Sequence, residues 1–285
     1  MSEELLAKVL AKPADDAARA AYAAALHKAG DPRGEFIDLQ CDLAKHKDHK
    51  TPAAKKLAKR IAELHKKHAA KWAKPLRALG DGTKWELKRG FVERLEVVGE
   101  PRMAALNDVF AIEPVTDLIT GGRTAWLKSL FASAGMWRVE RLVLQIDFGQ
   151  AKAVIAELTR ATLPNLVELR MGVLKDQHLE GLGEVAPPKL VHLCVGGVGI
   201  TEKGVGKLLD SPLGRKLETL ELDRFKIDPR MANLICATQI KRFSASDGWV
   251  DEVEDQLKAR FGKNFVVEDE ESFDYLLYGT KGISR

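Results

Sequence analysis

The stretch GITEKGVGKLLDSPLGRKLETLELD, Gly199 to Asp223, carries the plan of the chain in one unit. It closes on LETLEL, Leu217 to Leu222, with apolar side chains at positions one, four and six. Ahead of that string, Val205, Leu208 and Leu209 keep the three-and-four spacing of a helix face. Strings close to apolar-x-x-apolar-x-apolar recur as VERLEV (Val92 to Val97), VTDLIT (Val115 to Thr120), VERLVL (Val139 to Leu144), LVELRM (Leu166 to Met171), LVHLCV (Leu190 to Val195) and IKRFSA (Ile240 to Ala245), and only Thr120 breaks the pattern. Their fourth positions are Leu95, Leu118, Leu142, Leu169, Leu193, Leu220 and Phe243, at intervals of 23, 24, 27, 24, 27 and 23. Internal similarity at a period of roughly 20–50 residues marks a chain made by stacking one structural unit.

Each unit supplies one short strand and one return segment, and neither can bury its apolar side until the next unit stacks on it. The return segments read as helices. Thr124 to Ala134 places Leu127, Leu130 and Phe131 on one stripe, and Val154, Ile155 and Leu158, then Val253, Leu257 and Phe261, repeat the pattern. The expected fold is α/β: a leucine-rich-repeat solenoid with short parallel strands and helices on the convex side. About seven repeats with a C-terminal cap fill residues 81–285, behind a helical N-terminal domain over residues 1–80. A doubly wound sheet also alternates strands with helices, but its crossovers are longer and less regular and carry no recurring LxxLxL phase.

The unit from Gly199 to Asp223 resembles the repeat of planctomycete and myxobacterial leucine-rich-repeat proteins, in which a Thr-x-x-Gly turn opens the helix and a Ser-Pro closes it. The asparagine that commonly ends their strand motif is absent, with Asp147, Leu174 or Val198 in its place, so backbone groups at these turns must find local, irregular partners. LLAKVLAKPADDAARAAYAAALHKAGDPRGEFIDLQ, Leu5 to Gln40, resembles the short helical "repeat-companion" domain that precedes such repeats. The resemblance rests on Pro13 with Asp15 and Asp16, on Tyr22 and Leu26, on the Gly30-Asp31-Pro32 turn, and on Glu35, Phe36, Ile37 and Gln40. Where that family has Ala-Asp-Trp-Leu, this chain reads Ala23-Ala24-Ala25-Leu26. The two resemblances imply an architecture and no reaction. Independently, Asp15 and Asp16 suit a first helical turn, and Gly30 suits the left-handed position after a helix. The segment also gives the first repeat the cover that a solenoid end requires.

Composition is that of an ordinary globular protein, 45% hydrophobic and 6% aromatic. No run of about 18 apolar residues occurs, and MSEELLAKVLAKPADD is acidic where a secretory leader is basic and apolar, so the chain is read as cytoplasmic. Cys41, Cys194 and Cys236 are odd in number and far apart, which fits buried thiols better than disulfides or a CxxC metal site. The net charge of +4 conceals a lopsided distribution. Lys45 to Arg77 holds twelve Lys/Arg against Asp48 and Glu63, whereas Asp247 to Asp274 holds ten acids against Lys258, Arg260 and Lys263.

The basic segment contains a helix, Pro52 to Trp72, whose apolar stripe is Leu57, Ile61, Leu64, His68 and Trp72. Its other face is Lys55, Lys56, Lys59, Arg60, Lys66, Lys67 and Lys71. That face reads either as an anion-binding surface, for nucleic acid, acidic protein or anionic membrane, or as a solvated face opposite the acidic C-terminal end of a neighbouring molecule. His46 with His49 and His65 with His68 stand three apart, yet no further ligand completes a metal set, and neither metal nor cofactor is expected. GxSxG, HExxH and Walker patterns are missing. Gly196-Gly197-Val198-Gly199 ahead of Thr201-Glu202-Lys203-Gly204 matches no phosphate-binding spacing and reads as a strand-to-helix turn.

A non-enzymatic role therefore falls to the strand face, on side chains flanking each fourth position: Arg94 and Glu96, Asp117 and Ile119, Arg141 and Val143, Glu168 and Arg170, His192 and Cys194, Thr219 and Glu221, Arg242 and Ser244. Mixed charge with a few apolar members suits a protein partner better than nucleic acid, which favours a uniformly basic face.

Overall fold

The computed structural model describes residues 2–268 apart from Val198, Phe225 and residues 247–249. Most of the expected C-terminal cap, part of the acidic stretch and the turn position Val198 lie outside the described residues. The chain is α/β and divides into two compact units, Met1–Thr116 and Asp117–Arg285.

The first unit holds α1 (Ser2–Ala11), α2 (Asp16–Lys28), α3 (Arg33–Ala44), α4 (Pro52–Trp72), α5 (Lys74–Arg77), β1 (Lys84–Lys88), β2 (Phe91–Val97) and α6 (Met103–Ile112). Asp15 opens α2 by accepting the Ala17 and Ala18 amides at 2.9 and 3.2 Å, the side-chain cap that a first turn needs. Gly30 leaves α2 at φ +69°. Val9, Ala23, Ile37, Cys41 and Phe91 form the core here, with Leu6, Tyr22 and Leu26 packed on it. Arg89 and Gly90 turn the chain between β1 and β2, both at positive φ, as a tight hairpin demands. Arg89 holds this left-handed conformation with bonds to Asp16 and Glu93 at 3.1 and 2.9 Å, and Gln40 accepts the Gly90 amide at 2.6 Å. Burying a charge is costly unless it is paired and hydrogen-bonded. Arg19, 0% exposed, reaches the Pro13 and Arg89 carbonyls and Glu93, and its guanidinium lies 5.2 Å from the Phe91 ring centre.

In the second unit, strands β3 (Asp117–Gly121), β4 (Arg141–Gln145), β5 (Glu168–Met171), β6 (His192–Gly196), β7 (Thr219–Asp223), β8 (Arg242–Ser246) and β9 (Phe265–Glu268) pair in parallel in chain order. Between them run α7 (Thr124–Phe131), α8 (Ala151–Arg160), α9 (Asp176–Leu182), α10 (Glu202–Asp210), α11 (Pro229–Cys236) and α12 (Glu254–Phe261), each packed on the next. The register sets Leu118, Leu142, Leu169, Leu193, Leu220, Phe243 and Phe265 side by side across the sheet. All but Phe265 are at most 1% exposed, and each such side chain contributes about 1.5–3 kcal/mol of burial. Helical side chains close the other side of this layer: Leu127, Leu130, Val154, Leu158, Val205, Leu208, Ile235 and Leu257 are buried. The last row ends in aromatic contact, with the Phe243 and Phe265 rings stacked at 5.9 Å.

The turns that lack asparagine find their partners in different ways. Leu174 N–H donates to the Gly196 carbonyl at 2.9 Å, and Gly197 N–H to the Asp223 carbonyl at 3.3 Å. At the following turn Ser246 bonds the Asp223 carboxylate at 2.7 Å and accepts the Arg224 amide at 3.1 Å. Arg260 donates to the carbonyls of Cys236, Thr238 and Ile240, which a C-terminal helix end would otherwise leave open.

Candidate functional site

Register arranges the flanking residues of the second unit in two rows across β3–β8. One row runs Asp117, Arg141, Glu168, His192, Thr219, Arg242, and the other Ile119, Val143, Arg170, Cys194, Glu221, Ser244. In the first row Arg141 stands between two carboxylates, donating to Asp117 at 2.8 Å and to Glu168 at 3.0 Å. In the second, Arg170 on β5 reaches Glu221 on β7 through two bonds of 2.7 and 3.3 Å, and turns its Nε to Glu168. Two strand spacings, about 9–10 Å, separate β5 from β7. The reach is open because Cys194, on the strand between, has a short side chain, and the ion pair closes over it.

Three carboxylates and two guanidiniums thus form one ladder. Burial works against the charge on Arg170, yet its guanidinium is held above the ordinary arginine value. Burial also pushes the neighbouring Cys194 thiol well above the usual cysteine range, which keeps it neutral, so Glu221 and Glu168 supply the attraction. For Glu168, burial favours the neutral acid, but Arg170 and Arg141 outweigh it and hold the carboxyl below the usual range.

Little of this face is freely solvated. Ile119, Val143, Cys194 and Ser244 are at most 1% exposed, and Thr219 and Arg170 are buried. Asp117, Arg141, Glu168, His192 and Glu221 are half-buried, and Arg242 is exposed. Among the described residues, Arg141 Nη2 and Glu168 Oε2 make no hydrogen bond and stay available as one donor and one acceptor. Arg94 and Glu96 sit on β2 in the first unit, where Arg94 is half-buried and Glu96 is buried and pairs with Lys84 at 2.8 Å.

The basic helix is α4. Thr51 caps it by accepting the Ala54 amide at 3.2 Å. Its stripe packs inward: Leu64 is buried, Leu57, Ile61 and His68 are half-buried, and Trp72 lies 4.7 Å from the Phe36 ring. His65 stacks on Phe36 and His68 on Trp72, which gives that histidine pair packing partners. Arg60 and Lys71 are taken up inside the unit, Arg60 by Glu35 at 2.6 and 2.9 Å and Lys71 by Asp31 at 3.5 Å. Lys55, Lys56, Lys59, Lys66 and Lys67 are exposed and make no ion pair among the described residues.

The glycine turn before α10 is shaped by backbone approach. A Cβ on Gly197 would stand 2.2 Å from the Leu174 carbonyl oxygen. Asp176 already occupies the helix start, accepting from Thr201 N–H at 2.7 Å and from its hydroxyl at 2.5 Å, and a carboxylate there repels a second anion. Among the described residues no group of three His, Cys, Asp or Glu could hold a metal, and no helix is long and apolar enough to cross a membrane. Three features escaped the sequence reading: β1, β9 and the Arg170–Glu221 span. The alternating signs of Asp117, Arg141 and Glu168 at one phase of successive strings were a usable signal for the rest of the ladder.

No protein-family model and no curated protein matches the chain.

Proposed function

We propose that the chain is a leucine-rich-repeat solenoid that holds a protein partner on the strand face of its second unit and performs no chemistry of its own. The observation that carries this reading is the Asp117–Arg141–Glu168–Arg170–Glu221 ladder. Its side chains are fixed by one another across four strands before any partner arrives. A surface fixed in advance loses little side-chain entropy on binding. The ladder offers a donor and an acceptor at its centre, and His192 and Arg242 continue the same row.

Charge reversal at Arg141 and Arg170 is a poor test, because it would gather five carboxylates in one half-buried strip. Reversal at Arg242, which is exposed and makes no ion pair among the described residues, puts no new carboxylate next to Glu168. Partner capture from the native host, identified by cross-linking and mass spectrometry, is expected to fail in the Arg242→Glu variant with thermal unfolding unchanged. Capture at full yield by that variant would assign the partner to another surface.

A further inference from the structure

We infer that the lysine face of α4 is a second binding surface, and that its ligand is the phosphate backbone of double-stranded nucleic acid, taken without regard to base sequence. Five exposed lysines sit on one 21-residue helix with no ion pair among the described residues. They form two lines. Lys55, Lys59 and Lys66 follow one side of the exposed face, and Lys56 and Lys67 follow the other. At 1.5 Å of rise per residue, each line spans about 16 Å between its end members. Lys55 and Lys59, four apart, repel one another and weaken the helix they stand on. The sole carboxylate of α4, Glu63, is engaged by Arg60. A row of like charges without internal neutralisation calls for a counter-charge from outside.

The surroundings of the lysines choose among polyanions. A helix that lies in a membrane interface needs its apolar stripe free to enter the lipid. Here that stripe is spent inside the unit, with Leu64 buried and Trp72 against Phe36. Single-stranded nucleic acid is held by aromatic side chains interleaved with the cations. The other exposed residues between Lys55 and Lys67 are Ala58, Arg60, Ala62, Glu63 and His65, and the His65 ring is already taken up in stacking on Phe36. What remains is an array of point charges on a straight rod, which matches a stiff, regularly charged backbone and reads no base edge.

The test is fluorescence anisotropy of the full chain on a labelled mixed-sequence duplex of about 20 base pairs, titrated with salt. Five phosphate contacts give a log–log salt slope of about −4.5, which weakens binding roughly 500-fold between about 50 and 200 mM salt. Lys55→Gln/Lys59→Gln/Lys66→Gln should reduce the slope by about 2.7 and Lys66→Gln/Lys67→Gln by about 1.8, with unrelated duplexes bound equally well. All these positions are exposed and unpaired, so unfolding midpoints should not move. No binding at low salt overturns the inference, as does a slope that both variants leave unchanged. It also fails if phosphatidylserine vesicles or polyglutamate are preferred to the duplex under the same conditions.

Discussion

Arg170→Met removes the guanidinium from between Glu168 and Glu221 while keeping an unbranched apolar stem in place of the arginine methylenes. Glu221 then has no cation partner among the described residues, whereas Glu168 retains Arg141 at 3.0 Å. Removing one member of a buried ion pair costs about 3–5 kcal/mol, because the survivor stays charged and desolvated. The two carboxylates keep 13% and 23% side-chain exposure, and one keeps a partner, which places the loss at the low end. About 3 kcal/mol is roughly 150-fold in the folded population. The sign of the pH dependence follows from Glu168. Its carboxyl lies below the usual range in the folded chain, so its stabilisation is complete above the ordinary glutamate value and is lost as pH falls through the folded one. The gap between wild type and variant should therefore narrow below about pH 4.5. Urea unfolding at neutral and acid pH measures it, with hydrogen exchange of the β5–β7 amides showing where stability is lost. Adding Glu221→Leu should recover most of the loss, since an apolar pair replaces an ionic one at little cost. A neutral-pH loss under about 0.5 kcal/mol, typical of a surface change, or a gap of constant width in acid, would refute the ladder as a buried network.

Two further outcomes follow from single positions. Gly197→Ala forces a methyl against the Leu174 carbonyl and should destabilise the second unit by about 1–3 kcal/mol; an unchanged melting temperature would show that the turn has room. Burial, with Lys175 adding to it, holds the His178 imidazole below the ordinary histidine value, and its Nδ1 accepts the Lys175 amide at 3.1 Å. Stability from this group is complete above the ordinary value, about pH 6.5, and falls as pH drops through the folded one. Replacing His178 by Gln should flatten the stability profile as pH falls below about 6.5, and a profile of unchanged slope would exclude the residue.

The strands from β2 to β8 were legible because two periods agree in the sequence, alternation within each string and a near-constant step between strings. Within the second unit, parallel pairing in chain order then aligns the fourth positions from Leu118 to Phe243 without further information. β9 escaped because FVVE is too short to show a phase, and β1 because KWELK belongs to a hairpin set by Arg89 and Gly90. The candidate site was half legible. Which residues flank each fourth position could be read directly, but their degree of burial could not, since it depends on how far neighbouring side chains reach. The Arg170–Glu221 bond is the clearest case, because it skips a strand and exists only where the intervening residue is short. On α4, sequence grouped seven cations, and the fold withdrew Arg60 and Lys71 by bringing Glu35 and Asp31 beside them.

The ion pair that spans β6 also turns Cys194 into a chemical clock. A neutral thiol sealed beneath two charged side chains can meet an alkylating reagent only when the bridge lifts. The rate at which Cys194 is labelled therefore counts openings of the strand face in the native protein. Slower labelling in the presence of a bound partner would report occupancy of that face without any substitution in it.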